Sequence, residues 1–406
     1  MSLPIASAEA GRPADYAWFI TGLGSWFGAW GMQSVIFSWL VVGELNSSAE
    51  WVGIAQTSTM LPALVLLLVG GATADRSDPR RMLVGLHLLA VVPVLVLAAS
   101  LAAGRLSFTG LVLYGVAIGT VQAFALPARD TLLSRVASGD MMRAVAGMTA
   151  AQFGAQAAGT LLGGIARWLG APTVLLLQAA VLAAGSFTTQ RISPGPATVE
   201  KADAEAPSAL REIGEGIAQV LKAPRLRGPV LLVLAVGFLF IGPFMVVFPL
   251  LVRDFYAGGV GRLSLVLALF PVGTITGSLI LRRFGLRRKG LGALLALLFG
   301  AAALALVGLR VSFPIMVIAT YLWGLGGSVF INSCRTIYQE AAPPEQRARV
   351  LSIYQLGFMG AAPLGTLNAG FISGLIGPHN TLLCCSAVMA CVVALIWSTT
   401  DVVRMD

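Results

Sequence analysis

Apolar residues run through this chain in long blocks, separated by short breaks that carry glycine, arginine and aspartate. Twelve blocks stand out: 16–44, 51–74, 82–103, 107–128, 144–166, 172–190, 229–252, 263–281, 291–309, 314–334, 351–375 and 381–400. A helix rises about 1.5 Å per residue, so about 20 apolar residues cross the hydrocarbon of a bilayer. The pattern therefore predicts an all-α polytopic membrane protein with twelve transmembrane helices. The one long polar break, 191–228, holds Pro194, Pro196, Pro207 and a short charged amphipathic piece from Leu210 to Leu221. It follows the sixth block, which divides the chain into a six-helix bundle over 1–190, a linker over 191–228 and a second six-helix bundle over 229–406.

Composition sharpens this picture. Of 406 residues, 57% are apolar and only 11% charged, against about 25% charged in soluble domains. The mean hydropathy of +0.85 excludes a water-soluble globule, a disordered chain and a disulfide-stapled secreted scaffold. Met1 to Pro13 is short and polar, without the form of a secretory signal. The net charge of +9 would suggest nucleic acid in a soluble protein, but its distribution gives another reading. With twelve spans, 22 basic residues fall on the side of both termini and the 191–228 segment, and five (Arg105, Arg167, Arg253, Arg262, Arg310) on the other. Basic residues accumulate in cytoplasmic loops. Both termini and the linker are thus expected in the cytoplasm, the excess charge reads as topology and contact with anionic lipid, and no nucleic-acid partner is needed.

Soluble-enzyme chemistry is not legible here. The two histidines, His87 and His379, show no metal-ligand spacing, and none of the 47 glycines belongs to a phosphate-binding loop of the form Gly, four residues, Gly-Lys-Ser/Thr. Cys334, Cys384, Cys385 and Cys391 lie in or beside apolar runs and read as small hydrophobes. No cofactor or metal is expected.

The two halves repeat at an offset of 206 residues. Gly71 falls on Gly277, Arg76 on Arg282, Arg81 on Arg287, Arg129 on Arg335, Arg143 on Arg349, Gly154 on Gly360 and Gly159 on Gly365. Parallel repeats of six helices place a substrate site near mid-membrane, worked by rocking one half against the other. The stretch Gly70-Gly71-Ala72-Thr73-Ala74-Asp75-Arg76-Ser77-Asp78-Pro79-Arg80-Arg81, with a degenerate copy from Gly277 to Lys289, resembles the loop motif between spans 2 and 3 of the major facilitator superfamily. Trp39-Leu40-Val41-Val42, Pro62 and Pro127-Ala128-Arg129 extend the resemblance to the subgroup containing the enterobactin exporter and macrolide efflux proteins. It covers nearly the whole chain.

That resemblance implies a cytoplasmic gate. In the family the loop motif holds the inner side closed, which assigns the role to Asp75, Arg76, Arg80 and Arg81, the basic pair serving equally well as lipid anchors. Arg129, Asp130, Arg135 and Arg143 line the equivalent break after span 4, as gate residues or as anchors. Gly159-Thr160-Leu161-Leu162-Gly163-Gly164 resembles the family's antiporter motif with Thr160 in place of proline, and Gly159, Gly163, Gly164 and Gly365 suit close helix packing.

For the substrate cavity, Trp26, Trp30, Gln33, Phe37 and Glu44 keep one helical face. Aromatic area with a single amide suits an amphiphilic molecule, and core packing explains the same residues. Gln152 and Gln156 share a stripe and read as interhelical hydrogen bonders or substrate contacts; Gln56, Met60, Gln122, Asn332, Tyr354, Gln355 and Phe358 are further candidates. No carboxylate lies at mid-depth in any span, so proton coupling is left to Glu44, Asp75 or Asp130, or to the substrate itself. The reading is a monomeric secondary exporter of a small organic molecule (a drug, siderophore or metabolite) in the cell inner membrane, coupled to protons. Its rivals are an uptake permease, a lysolipid-type transporter and a non-transporting sensor or assembly protein.

Overall fold

In the computed structural model, which describes residues 13–137, 141–194, 224–341 and 347–405, the chain is helical with no strand among the described residues. The first half contains α1 (Pro13–Trp39, continued by a π turn, Leu40–Glu44), α2 (Ala49–Arg76), α3 (Pro79–Ala102), α4 (Phe108–Val136), α5 (Met141–Gly163) and α6 (Ala171–Gln190). In the second half, α7 starts as Pro224–Val236 and passes through π turns at Gly237–Ile241 and Pro243–Val247 to Phe248–Asp254. It is followed by α8 (Val260–Phe284), α9 (Lys289–Gly308), α10 (Phe313–Ala341), α11 (Arg347–Ile376) and α12 (Pro378–Thr399). Among the described residues, eight helices are long and apolar enough to cross a membrane: those of α3, α4, α6 to α10 and α12. Helix also fills the runs of α1, α2, α5 and α11. A bilayer offers no water to satisfy peptide groups, so an apolar run this long closes its hydrogen bonds within itself.

The breaks are specified locally. Asp78 caps α3, its carboxylate accepting from Arg80 N at 3.1 Å, with Pro79 in the first turn, where a missing N–H costs nothing. Ser107 caps α4 in the same way through Gly110 N at 3.1 Å. Gly170 and Gly377 take φ of +79° and +84°, a left-handed backbone that L side chains resist, and turn the chain sharply into α6 and α12.

Within the first half, α1 packs on α5 and α6, α2 on α4, and α3 on α4 and α6. The second half repeats the scheme, with α8 on α10, α9 on α10 and α12, and α7 on α11. The halves meet along two seams, α2 against α11 and α5 against α8. Large apolar side chains face outward, among them Leu89, Val92 and Val96 on α3, Leu176 on α6, Leu279 on α8 and Leu395 on α12. Such an apolar exterior suits lipid.

Candidate functional site

Each half encloses its own interior, and the two differ in chemistry. In the first half, Trp26, Trp30 and Gln33 of α1 line one small cavity of about 20 Å³ with Gln122 of α4 and Gln178 of α6. That is room for about one water. Trp26 Nε1 donates to Gln122 Oε1 at 2.9 Å, and Phe37 stacks on Tyr114 at 5.9 Å. The Gln178 side chain and the neighbouring Tyr114 hydroxyl are buried facing each other. The α1 stripe therefore turns into its own half, away from the seam. Glu44 leaves that stripe, because the π turn breaks the helical register, and is exposed.

The other cavity candidates are spread out. Gln152 and Gln156 are half-buried on α5. Asn332 Nδ2 donates to Ser328 O at 2.8 Å and Ser278 Oγ at 3.3 Å, tying α10 to α8. The side chains of Tyr354 and Gln355 lie outside the described residues, as do those of Asp75 and Arg143.

At the end of the bundle rich in basic residues, the motif arginines work within one half. Arg80 Nη2 donates to Gln190 O at 2.5 Å. Arg135 donates to Asp78 Oδ1 at 3.2 Å and to Ser193 O at 2.8 Å. Arg81 lies 3.8 Å from Asp78, and Arg76 is exposed. The carboxylate that organises this corner is Asp78, which the motif reading passed over, although an Asp-Pro step before an apolar run is a legible N-cap signal. Arg129 does not line the break after α4: it is buried to 6% exposure, its guanidinium 4.7 Å from the Phe27 ring, with Nη1 lacking a partner among the described residues. Asp130 beside it is exposed and lies within the field of Arg335, on α10 of the other half.

The contacts that join the halves cluster at the opposite end. Ser264 Oγ donates to Thr160 O at 2.8 Å, and Gly164 fits against Ser264. Gly53 and Gly370 let the backbones of α2 and α11 touch, with Glu50 against Gly374, and Thr57 Oγ1 donates to Pro363 O at 3.2 Å. Arg253, at the end of α7, donates through Nη1 to Val42 O at 2.7 Å and Ser47 O at 2.9 Å, reaching carbonyls at the C-terminal end of α1. Asp254 grips the same guanidinium. Glycines elsewhere serve packing within a half: Gly159 meets Gly28, Gly163 meets Met32 and Val35, and Gly365 meets Gly237 and Phe238. Nearer the basic end, a Cβ placed on Gly71 or Gly154 would find no atom within 4 Å among the described residues.

The Major Facilitator Superfamily sequence model matches residues 19–366. The chain belongs to the major facilitator superfamily. Macrolide efflux protein A of Streptococcus pyogenes is 25% identical over 386 residues, covering 92% of this chain and 93% of the relative. The multidrug efflux pump Tap of Mycolicibacterium fortuitum is 26% identical over 374 residues, covering 88% and 89%. Among solved structures, a single-residue variant of the peptide transporter POT superposes over the whole of both chains with a TM-score of 0.76 at 13% identity, which shows the shared fold. This superfamily member is a transporter and not an enzyme.

Proposed function

We propose that this protein is a proton-driven exporter of small amphiphilic organic molecules, working by alternating access in the cell inner membrane. The observation that carries the reading is the one-ended seal: hydrogen bonds and glycine contacts join α2 to α11 and α5 to α8 at the end away from the basic loops. Twelve crossings, with the basic end in the cytoplasm by the positive-inside rule, make this the inward-facing state. Substrate enters between the halves from the basic end, against the half-buried Gln152 and Gln156 of α5. Arg253 is the outer latch; Asp75, Arg76, Asp130 and Arg335 form the inner one, which closes when the halves rock. Efflux relatives at low identity support the outward direction.

The experiment is uptake of a labelled macrolide into inverted membrane vesicles energised by a proton gradient, beside a panel including a tetracycline, a siderophore and a cationic dye. Accumulation of at least one compound, collapsed by a protonophore, is the expected result. Failure of the whole panel, in vesicles that contain the folded protein, defeats the reading.

A further inference from the structure

His87 and Arg129 share a second small cavity in the first half, of about 10 Å³, walled by Phe19, Gly22, Leu23, Trp26, Leu83, Leu132 and Thr189. Both are deeply buried, His87 at 2% and Arg129 at 6% exposure. The imidazole is held in one orientation. Its Nδ1 lies 2.8 Å from Leu83 O, one turn back on α3, so Nδ1 carries the hydrogen. The ring stands edge-on to Trp26, with centroids 5.0 Å apart. Nε2 then carries the lone pair; it faces Gly22 O and lies 3.5 Å from Ser25 Oγ, whose hydroxyl donates to Gly22 O at 2.9 Å. From α6, Gly185 and Thr189 complete the enclosure. Of the elements packed round the ring, α1 brings Ser25 and Trp26, α6 brings no charge, and α4 brings Arg129, the one charged group on the cavity wall among the described residues.

This arrangement is costly as mere packing. A guanidinium buried in an apolar half-bundle with an unpaired Nη1, beside a deeply buried imidazole, is two expensive groups in one compartment. Ionisable groups inside a membrane protein mark the working path. A leucine or phenylalanine would fill the space of His87 without that cost.

We propose that His87 is the proton carrier of this transporter, its Nε2 taking up and releasing one proton per cycle. The proposal rests on the proton-driven reading above. In the outward-facing state a hydronium ion gives its proton to the Nε2 lone pair, leaving water and a cationic imidazolium; in the inward-facing state the same N–H bond breaks and the proton passes to water at the basic end, so protons run inward as substrate runs outward. A cation at His87 and the Arg129 guanidinium cannot both keep this compartment in a low dielectric. Protonation therefore displaces Arg129 towards Asp130, the adjacent exposed carboxylate that also lies in the field of Arg335 on the other half. The proton charge is thereby converted into movement at the inner seam.

The chain has only two histidines, which allows a direct test. In nanodiscs, ¹⁵N-histidine spectra of His379→Gln report His87 alone. Spin labels at Ser134→Cys and Arg283→Cys, with the four native cysteines replaced, read the opening of the basic end. His87 is expected to titrate in step with a pH-dependent change in the label distance, a single linked proton moving the two populations by up to about tenfold per pH unit. His87→Asn, which keeps a donor for Leu83 O, is expected to lose that dependence. A label distance that responds to pH while His87 stays in one protonation state, or an undiminished response in His87→Asn, overturns the assignment to His87 and leaves proton coupling standing. A wild-type distance indifferent to pH overturns proton coupling itself, and the proposal with it.

Discussion

The interiors of the two halves, built from the same repeat, are filled by opposite means. The second half holds an aromatic cluster, with Trp323 of α10 contacting Phe240, Phe244 and Phe248 of α7 and Phe270 of α8 at centroid distances of 5.1–5.8 Å. The corresponding interior of the first half is lined by Trp26, Gln33, Gln122, Gln178, His87 and Arg129. Aromatic packing is indifferent to protonation and polar ligands, since its energy comes from dispersion and ring geometry. A buried polar network is bistable, because each donor must find a new partner when the helices shift. The second half is thus packed by rings and the first by polar groups that must re-pair whenever its helices shift.

Four substitutions sharpen or break this contrast. The largest effect falls on the aromatic cluster: Trp323→Ala should cost about 3–5 kcal/mol, read as a large drop in thermal unfolding temperature in detergent, with an unchanged substrate profile for the protein that folds. A change of profile with little loss of stability would reverse the roles of the halves. Next comes the outer latch. Arg253→Ala removes both bonds to Val42 O and Ser47 O and should favour the outward-facing state by about 1.5–3 kcal/mol, the range of hydrogen bonds made by a charged group; labels across the α1–α7 end measure it, and an unmoved distribution removes Arg253 from the gate. Trp26→Phe leaves Gln122 Oε1 without its donor, at about 1–3 kcal/mol. Here KM for transported compounds should change while the unfolding temperature moves less than in Trp323→Ala. The smallest effect belongs to Arg81→Ala, which breaks an exposed pair at 3.8 Å and should change stability by less than about 0.5 kcal/mol in a melting experiment.

How much of the site could be read in advance varies residue by residue. The periodicity of Trp26, Trp30, Gln33 and Phe37 puts them on one face, because helical phase is a property of the chain. Which way that face turns is not, since a membrane helix is apolar all round and carries no stripe that separates the lipid side from the bundle side. Arg129 reads as a loop residue from its place beside Asp130 and Arg135, yet α4 runs through to Val136 and carries it inside. His87 has no motif, and its meaning comes from Leu83, Ser25, Trp26 and Arg129, brought together from three helices.

The sequence by itself determined the helices, their breaks and the sorting of charge to one end. Each of these answers to a local cost: unsatisfied peptide groups in lipid, a missing cap, a basic residue on the wrong side of the membrane. Only the tertiary structure decided that the α1 stripe serves its own half, that Asp78 rather than a motif arginine organises the basic corner, that Arg253 hydrogen-bonds across the far end, and that His87 and Arg129 share a compartment. Those are contacts between segments tens to hundreds of residues apart, and their energy exists only once the helices are packed.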